Sequence, residues 1–225
     1  ANNVTVGNAE GSNPVGVKDF YIIKVSNTGD SILNSYQAGG GSDDQINTLK
    51  VDYDGYTYAS GTLNYKYTFA NLDNNNISII KLNTQNGKFA VDDNYGFGSR
   101  GNDFCSSLIF DSGGLLLAGN INDEENTFLN KIPSKDDLRT KDTTLNSSLK
   151  IDGIDKLIIS DVKLTSEGGY IIAGQSNGLV LINMDGSGEV LWSRLDADLD
   201  GKNTGKIVIQ TNEGGFAVVG NTGFG

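Results

Sequence analysis

Short apolar bursts alternate along the chain with clusters of Gly, Asn, Asp, Ser and Thr. Two kinds of burst occur. Continuous runs such as "YIIAG" (170–174) and "FAVVG" (216–220) imply strands buried on both faces. Segments such as "EVLWSRL" (189–195) alternate apolar with polar, which leaves one face wet. Turn signals recur about every 8–12 residues, the spacing of an antiparallel all-β chain rather than a helical one.

The bursts also repeat. "VDYDGYTYASG" (51–61), "FDSGGLLLAGN" (110–120), "TSEGGYIIAGQ" (165–175) and "TNEGGFAVVGN" (211–221) are versions of one phrase, with Gly61, Gly119, Gly174 and Gly220 near the close. A weaker copy, "NVTVG", ends at Gly7. A second apolar segment follows each phrase and carries Lys24, Lys81, Lys131 or Asn183 at one equivalent place. A more polar third segment comes next ("SILNSYQ", "KFAVDDN", "DLRTKDT", "EVLWSRL"). A fourth then leads into the following phrase ("INTLKVD", "CSSLIFD", "LIISDVKLT", "KIVIQT").

Four strands in each unit of roughly 50 residues, graded from buried to wet, is the sequence pattern of a propeller blade. The glycine in each turn supplies a positive φ, and the closing glycine is read as letting the chain leave its strand where neighbouring blades crowd. The expected fold is therefore all-β: a β-propeller of four-stranded antiparallel blades in one domain, residues 1–225. Its units run approximately 1–40 (partial), 41–96, 97–142, 143–196 and 197–225 (partial). The count comes to about seventeen strands, beginning and ending on the second strand of a unit. Pairing the two ends would leave one strand over, which favours a piece of a larger propeller or a multi-repeat surface protein over a compact four- or five-bladed ring.

The run "DFYIIKVSNTGDSILNSYQAGGGSDDQINTLKVDYDGYTYASG" (19–61) resembles the β-propeller repeats of bacterial secreted and cell-surface proteins. It has an Asp-aromatic start, a Lys before a Gly turn, the "GGGSDD" loop and a Val-Asp-x-x-Gly-x-x-Tyr ending. "EGGYIIAGQSNGLVLINMDGSGEVLW" (167–192) is similar to the related Asp-Gly-Gly-Tyr-Ile-Ile-Ala-Gly form. The resemblance covers nearly the whole chain and implies architecture and an extracellular or cell-surface location more than an activity. The third unit departs from it, with extra residues in "TTLNSSLKIDGIDKL" (143–157).

Composition narrows the chemistry. The chain has 225 residues, 30 glycines, two prolines and a formal charge of −11. That charge opposes a nucleic-acid backbone or an anionic membrane as partner; it either favours cations or a basic protein surface or only keeps a secreted protein soluble. No apolar run approaches the roughly 18 residues of a membrane span. No signal peptide is visible, so the sequence is expected to start mature or inside a longer precursor. With no histidine and a single cysteine, Cys105, there are no Ser-His or Cys-His nucleophile systems, no His-ligated zinc and no internal disulfide. Cys105 reads as a small core residue.

"DADLDGKNT" (196–204) is the most specific local motif. Asp196, Asp198 and Asp200 at alternate positions, with Gly201 for the turn, form the first half of an oxygen-ligand calcium loop. Lys202 would add its carbonyl and Thr204 its hydroxyl or a water. Ile207 stands where a twelfth-position Glu is expected, so the site is either a shortened structural calcium loop or a solvated acidic loop. Asp44, Asp103 and Asp155 each precede a unit's first strand and either ring a channel mouth or cap turns. Asp52, Asp54 and Asp111 read as turn acids. Trp192, Tyr36 and Tyr95 either stack on a sugar or pack between blades. "TSEGGYII" lacks the Asp and Trp of sialidase-type turns.

The expected function is thus non-catalytic: a propeller module for adhesion, display or protein assembly. Its partner would be a protein or glycan at the cell surface, or the remainder of a longer chain or other subunits, with no nucleic acid and no membrane insertion. A carbohydrate-binding module is the alternative. A carboxylate-dependent glycoside hydrolase would need two acids facing one cleft.

Overall fold

The computed structural model describes residues 3–9, 19–38, 43–63, 76–83, 90–98, 101–111, 114–121, 126–132, 149, 151–197 and 203–223. The chain is all-β, with sixteen antiparallel strands among the described residues. It forms two compact units, residues 1–105 with 136–144 and residues 106–135 with 145–225. Among the described residues no helix is long and apolar enough to cross a membrane.

The first unit holds two sheets whose strands neighbour one another in chain order. One comprises β1 (Asn3–Ala9), β2 (Asp19–Val25) and β3 (Ile32–Ala38). The other comprises β4 (Gln45–Val51), β5 (Thr57–Leu63), β6 (Asn76–Asn83) and β7 (Ala90–Phe97). Phe20 and Ile22 of β2 pack with Ile46, Ala59, Ile80 and Leu82 to form the core between them.

In the second unit, the sheet of β8 (Phe104–Asp111), β9 (Gly114–Ile121) and β10 (Asn126–Ile132) is followed by a four-stranded one. That sheet comprises β11 (Ile158–Leu164), β12 (Tyr170–Ser176), β13 (Gly178–Met184) and β14 (Val190–Asp196). The last sheet pairs β15 (Thr204–Gln210) with β16 (Phe216–Asn221). Leu116, Ala118, Ile159, Ile172, Ile182 and their neighbours fill one core of this unit. Ile171, Ala173 and Val208, with Leu181, Phe216 and Val218 against them, fill another. Each fully buried Ile or Leu contributes about 1.5–3 kcal/mol.

The burial gradient follows the sequence pattern. Tyr170–Gly174 of β12 is buried throughout, whereas Val190–Arg194 of β14 is exposed.

Two irregularities recur at fixed places. The first is a bulge in the opening strand, opposite the closing glycine of the repeated phrase. The register shifts between Ile46 and Thr48, between Ile159 and Asp161, and between Gly205 and Ile207, with Gly61, Gly174 and Gly220 as the facing partners. The bulge pushes a carbonyl toward the glycine. A Cβ at Gly174 would lie 2.3 Å from the Ile158 carbonyl oxygen, one at Gly61 1.9 Å from that of Gln45, and one at Gly220 1.6 Å from that of Thr204. The closing glycine therefore sits inside its strand, not at a strand exit as the sequence reading had it, and close approach within its own sheet requires it.

The second bulge falls at the lysine place, between Lys24 and Val25, Lys81 and Leu82, and Asn183 and Met184.

The turns repeat as well. At 52–56, 165–169, 185–189 and 211–215 the first residue's N–H bonds the fifth residue's carbonyl. The glycine N–H at the fourth position bonds back to the first carbonyl. Gly168 takes φ 82° there, the left-handed region that other residues enter only under strain. Asp52 fixes its turn by accepting the N–H groups of Asp54 and Tyr56 at 2.9 and 2.8 Å. Asp185 accepts those of Ser187 and Glu189 in the same way. The Ser187 hydroxyl is the main cause holding the Asp185 carboxyl below its ordinary value.

Candidate functional site

The second unit contains a cavity of about 430 Å³ where the turn-bearing ends of its first two sheets meet. Leu116, Leu129, Leu149, Met184 and Val190 give it apolar walls. Its polar groups are Lys131, the Tyr170 hydroxyl and the 186–188 turn. The strands position them simply. Tyr170 opens β12 directly across from Met184, Lys131 lies late in β10 opposite Leu116, and Asp111 ends β8.

Asp111 Oδ2 ties the cluster together. Lys131 Nζ lies 3.0 Å from it, and Tyr170 donates a short hydrogen bond to the same oxygen. Lys131 Nζ also reaches the Gly186 carbonyl oxygen at 3.5 Å. The tyrosine is 1% exposed. The Asp111 side chain is 10% exposed and that of Lys131 41%. Asp111 raises the lysine above its ordinary value by accepting its proton in a hydrogen bond. Burial, and then Asp111, raises the Tyr170 phenol. Both groups therefore keep their protons at neutral pH. A lysine nucleophile needs the opposite shift.

The sequence reading placed Asp111 among the turn acids; here it is the shared acceptor of a partly buried cluster. The signal available was Lys131, marked as a repeat position. Its partners are distant in the chain, however, and only the folded sheets bring them together.

The remaining candidates fall in several places. Asp196 ends β14 and is exposed, and Thr204 opens β15 opposite Asn221. Asp198, Asp200 and Lys202 lie outside the described residues. The Thr204 Oγ1 and Asn203 Oδ1 atoms are buried without a hydrogen-bond partner among the described residues. Among those residues no three acids or cysteines converge as a metal cluster.

Asp44 and Asp103 are buried at 1% and 0% exposure, whereas Asp155 is exposed. Counting back from the bulge, Asp44 lies two residues before Ile46, and the same place before Ile159 holds Leu157. Asp155 is thus not the counterpart of Asp44. Tyr36 packs on Phe20 with ring centroids 5.9 Å apart, and Tyr95 is buried. Trp192 is 39% exposed, with its ring against Phe216 at 5.7 Å. Lys81 sits 4.0 Å above the Tyr56 ring. Cys105 is buried.

No known protein family and no curated protein matches the chain. Among solved structures it is similar to a protein of unknown function from Bacteroides caccae, at 14% identity and a TM-score of 0.36. That match covers 80% of this chain and 77% of the other.

Proposed function

We propose that the chain is a non-catalytic β-propeller module of a secreted or cell-surface protein, serving adhesion, display or protein assembly. One repeated contact supports this reading best. In the first unit Asn47, the extra residue of its bulge, donates through Nδ2 to the Cys105 carbonyl at 2.9 Å. In the second unit Ser106 Oγ donates to the Ile159 carbonyl at 2.6 Å, and Ile159 is the residue before the next bulge. The position after the closing glycine repeats in the same way. Thr62 bonds the Asp103 carbonyl, and Asn120 bonds that of Leu157. A contact that recurs at one repeat position is what side-by-side blades need.

The Asp111 hydrogen bond raises Lys131, the direction opposite to the one a nucleophilic lysine needs. Immobilised protein is expected to bind a glycan or a basic extracellular protein saturably, without releasing product from aryl glycosides. Turnover that disappears on replacing a single carboxylate would reverse the assignment to a hydrolase. A carbohydrate-binding role is the second reading, favoured by the half-exposed Trp192 beside exposed Leu191. In that case Trp192→Ala abolishes glycan binding.

Calcium is proposed as a structural ligand of the 196–204 loop, held by Asp196, Asp198, Asp200, the Lys202 carbonyl and Thr204. The unsatisfied oxygens of Asn203 and Thr204 at its exit support an oxygen-seeking cation there. Millimolar calcium is expected to raise the melting temperature of the wild type and not that of Asp198→Ala. An equal response in both, or none in either, removes the ion.

A further inference from the structure

The wall of the second unit's cavity is graded. Leu116 and Met184, at 3% and 1% exposure, form its floor, while the more exposed Val190 and Lys131 stand at its mouth. Lys131 lies directly across from Leu116 and Tyr170 across from Met184. Directly opposed residues share a face of their sheet, so the strand register itself sets a hydrogen-bond donor beside each buried apolar side chain.

Lys131 is the one charged side chain among the lining residues. Two acids adjoin these residues, and both are already engaged. Asp111 Oδ2 accepts from Tyr170 and Lys131. Asp185 is folded into its own turn, where it accepts the Ser187 hydroxyl and the N–H groups of Ser187 and Glu189. An ammonium carries three donors. Asp111 takes one at 3.0 Å, and the Gly186 carbonyl, at 3.5 Å, stands at the outer limit of a hydrogen bond. Donor capacity is therefore left at the mouth for an acceptor from outside. The same repeat position is used differently in the first unit, where Lys24 is buried and Lys81 lies over the Tyr56 ring.

We propose that this cavity binds a medium-chain monocarboxylate, its tail on Leu116, Leu129, Leu149 and Met184 and its carboxylate on the Lys131 ammonium. At about 430 Å³ the space is at the small end for ligand sites. That suits a single chain of about eight carbons better than an oligosaccharide or a peptide. The inference goes beyond the surface-module reading and does not depend on it, since a module for adhesion or assembly could keep or lack this ligand.

Titration of the full-length chain with octanoate, followed by amide NMR, tests the site. Octanoate is expected to shift the Gly186 and Gly188 resonances saturably at one ligand per chain, with a Kd on the order of 100 µM. Hexanoate, shorter by two methylenes, should bind about tenfold more weakly. Octan-1-ol should be weaker than octanoate, and octylammonium should not compete. Lys131→Met is expected to weaken octanoate at least tenfold and to improve octylammonium, because Asp111 then lacks its counter-charge. Should that variant fail to melt cooperatively, Lys131→Asn takes its role, since Asn183 already occupies the equivalent place. The proposal is overturned by an absence of saturable shifts up to about 10 mM octanoate. It is equally overturned by octan-1-ol or octylammonium binding as tightly as octanoate, or by octanoate affinity unchanged in the Lys131 variant.

Discussion

Gly174→Ala is expected to destabilise the second unit by about 3 kcal/mol, the upper range for overpacking a site that cannot relax. The added methyl would lie 2.3 Å from the Ile158 carbonyl oxygen and 3.2 Å from both the Ile158 carbonyl carbon and Leu157 Cδ1. The first two are backbone. They are held by the pairing of Ile158 with Gln175 and of Ile159 with Gly174, and Ser106 already bonds the Ile159 carbonyl. Relieving the clash means undoing the bulge, which slips β11 by one residue and turns its buried side chains outward.

Two controls separate this from a generic loss of glycine. Gly168 has nothing within 4 Å of its Cβ position, so Gly168→Ala meets only the strain of φ 82°, about 1–2 kcal/mol. Gly220 has the tighter clash, 1.6 Å, but belongs to a two-stranded sheet with an open side that can shift. Gly220→Ala should therefore cost less than Gly174→Ala despite the shorter distance. Urea midpoints at unchanged slope give the ranking. A Gly174→Ala midpoint equal to that of Gly168→Ala would remove the bulge as the reason for the glycine.

That glycine shows where sequence legibility ends. The phrase "EGGYIIAG" announces a turn and a buried strand, and β12 runs as expected from Tyr170. The turn glycine has a local cause, a positive φ, that a sequence carries on its face. The closing glycine's cause is a carbonyl sixteen residues upstream, displaced by a backbone irregularity that has no side-chain signature. The lysine place is a similar case. Lys24, Lys81 and Lys131 announce a common position, but nothing local says that a bulge falls there or that the three lysines meet different surroundings. Lys24 is buried, Lys81 lies over Tyr56, and Lys131 joins Asp111. Strand order and burial are short-range matters written in the 2-residue period. The candidate site is long-range, joining the ends of two sheets, and only the packing assembles it. The Asp198–Lys202 part of the calcium motif lies outside the described residues.

Asp111→Ala is expected to remove about 2–3 kcal/mol from the second unit, because it strands the buried Tyr170 hydroxyl and leaves Lys131 without its counter-charge. Tyr170→Phe should cost less. It deletes the donor together with its need for a partner, and Lys131 and Asp111 keep each other. The pH dependence distinguishes packing from electrostatics. Tyr170 and Lys131 both have raised values in the folded chain, against 10.0 and 10.5 for the free groups. As pH climbs past those free values the unfolded chain releases protons that the folded chain still holds, so unfolding gains. The stabilisation is complete below about pH 10 and fades as pH rises through the folded values, with no counterpart on the acid side from these two groups. Melting temperatures should therefore hold from about pH 8 to about pH 10 and fall steeply above that in the wild type. They should fall less steeply in Asp111→Ala, which removes the main cause of the lysine shift but leaves the burial that dominates the tyrosine shift. Tyr170→Phe should flatten the remainder. Parallel curves for all three proteins would mean that the cluster is only packed, with no differential hold on its protons.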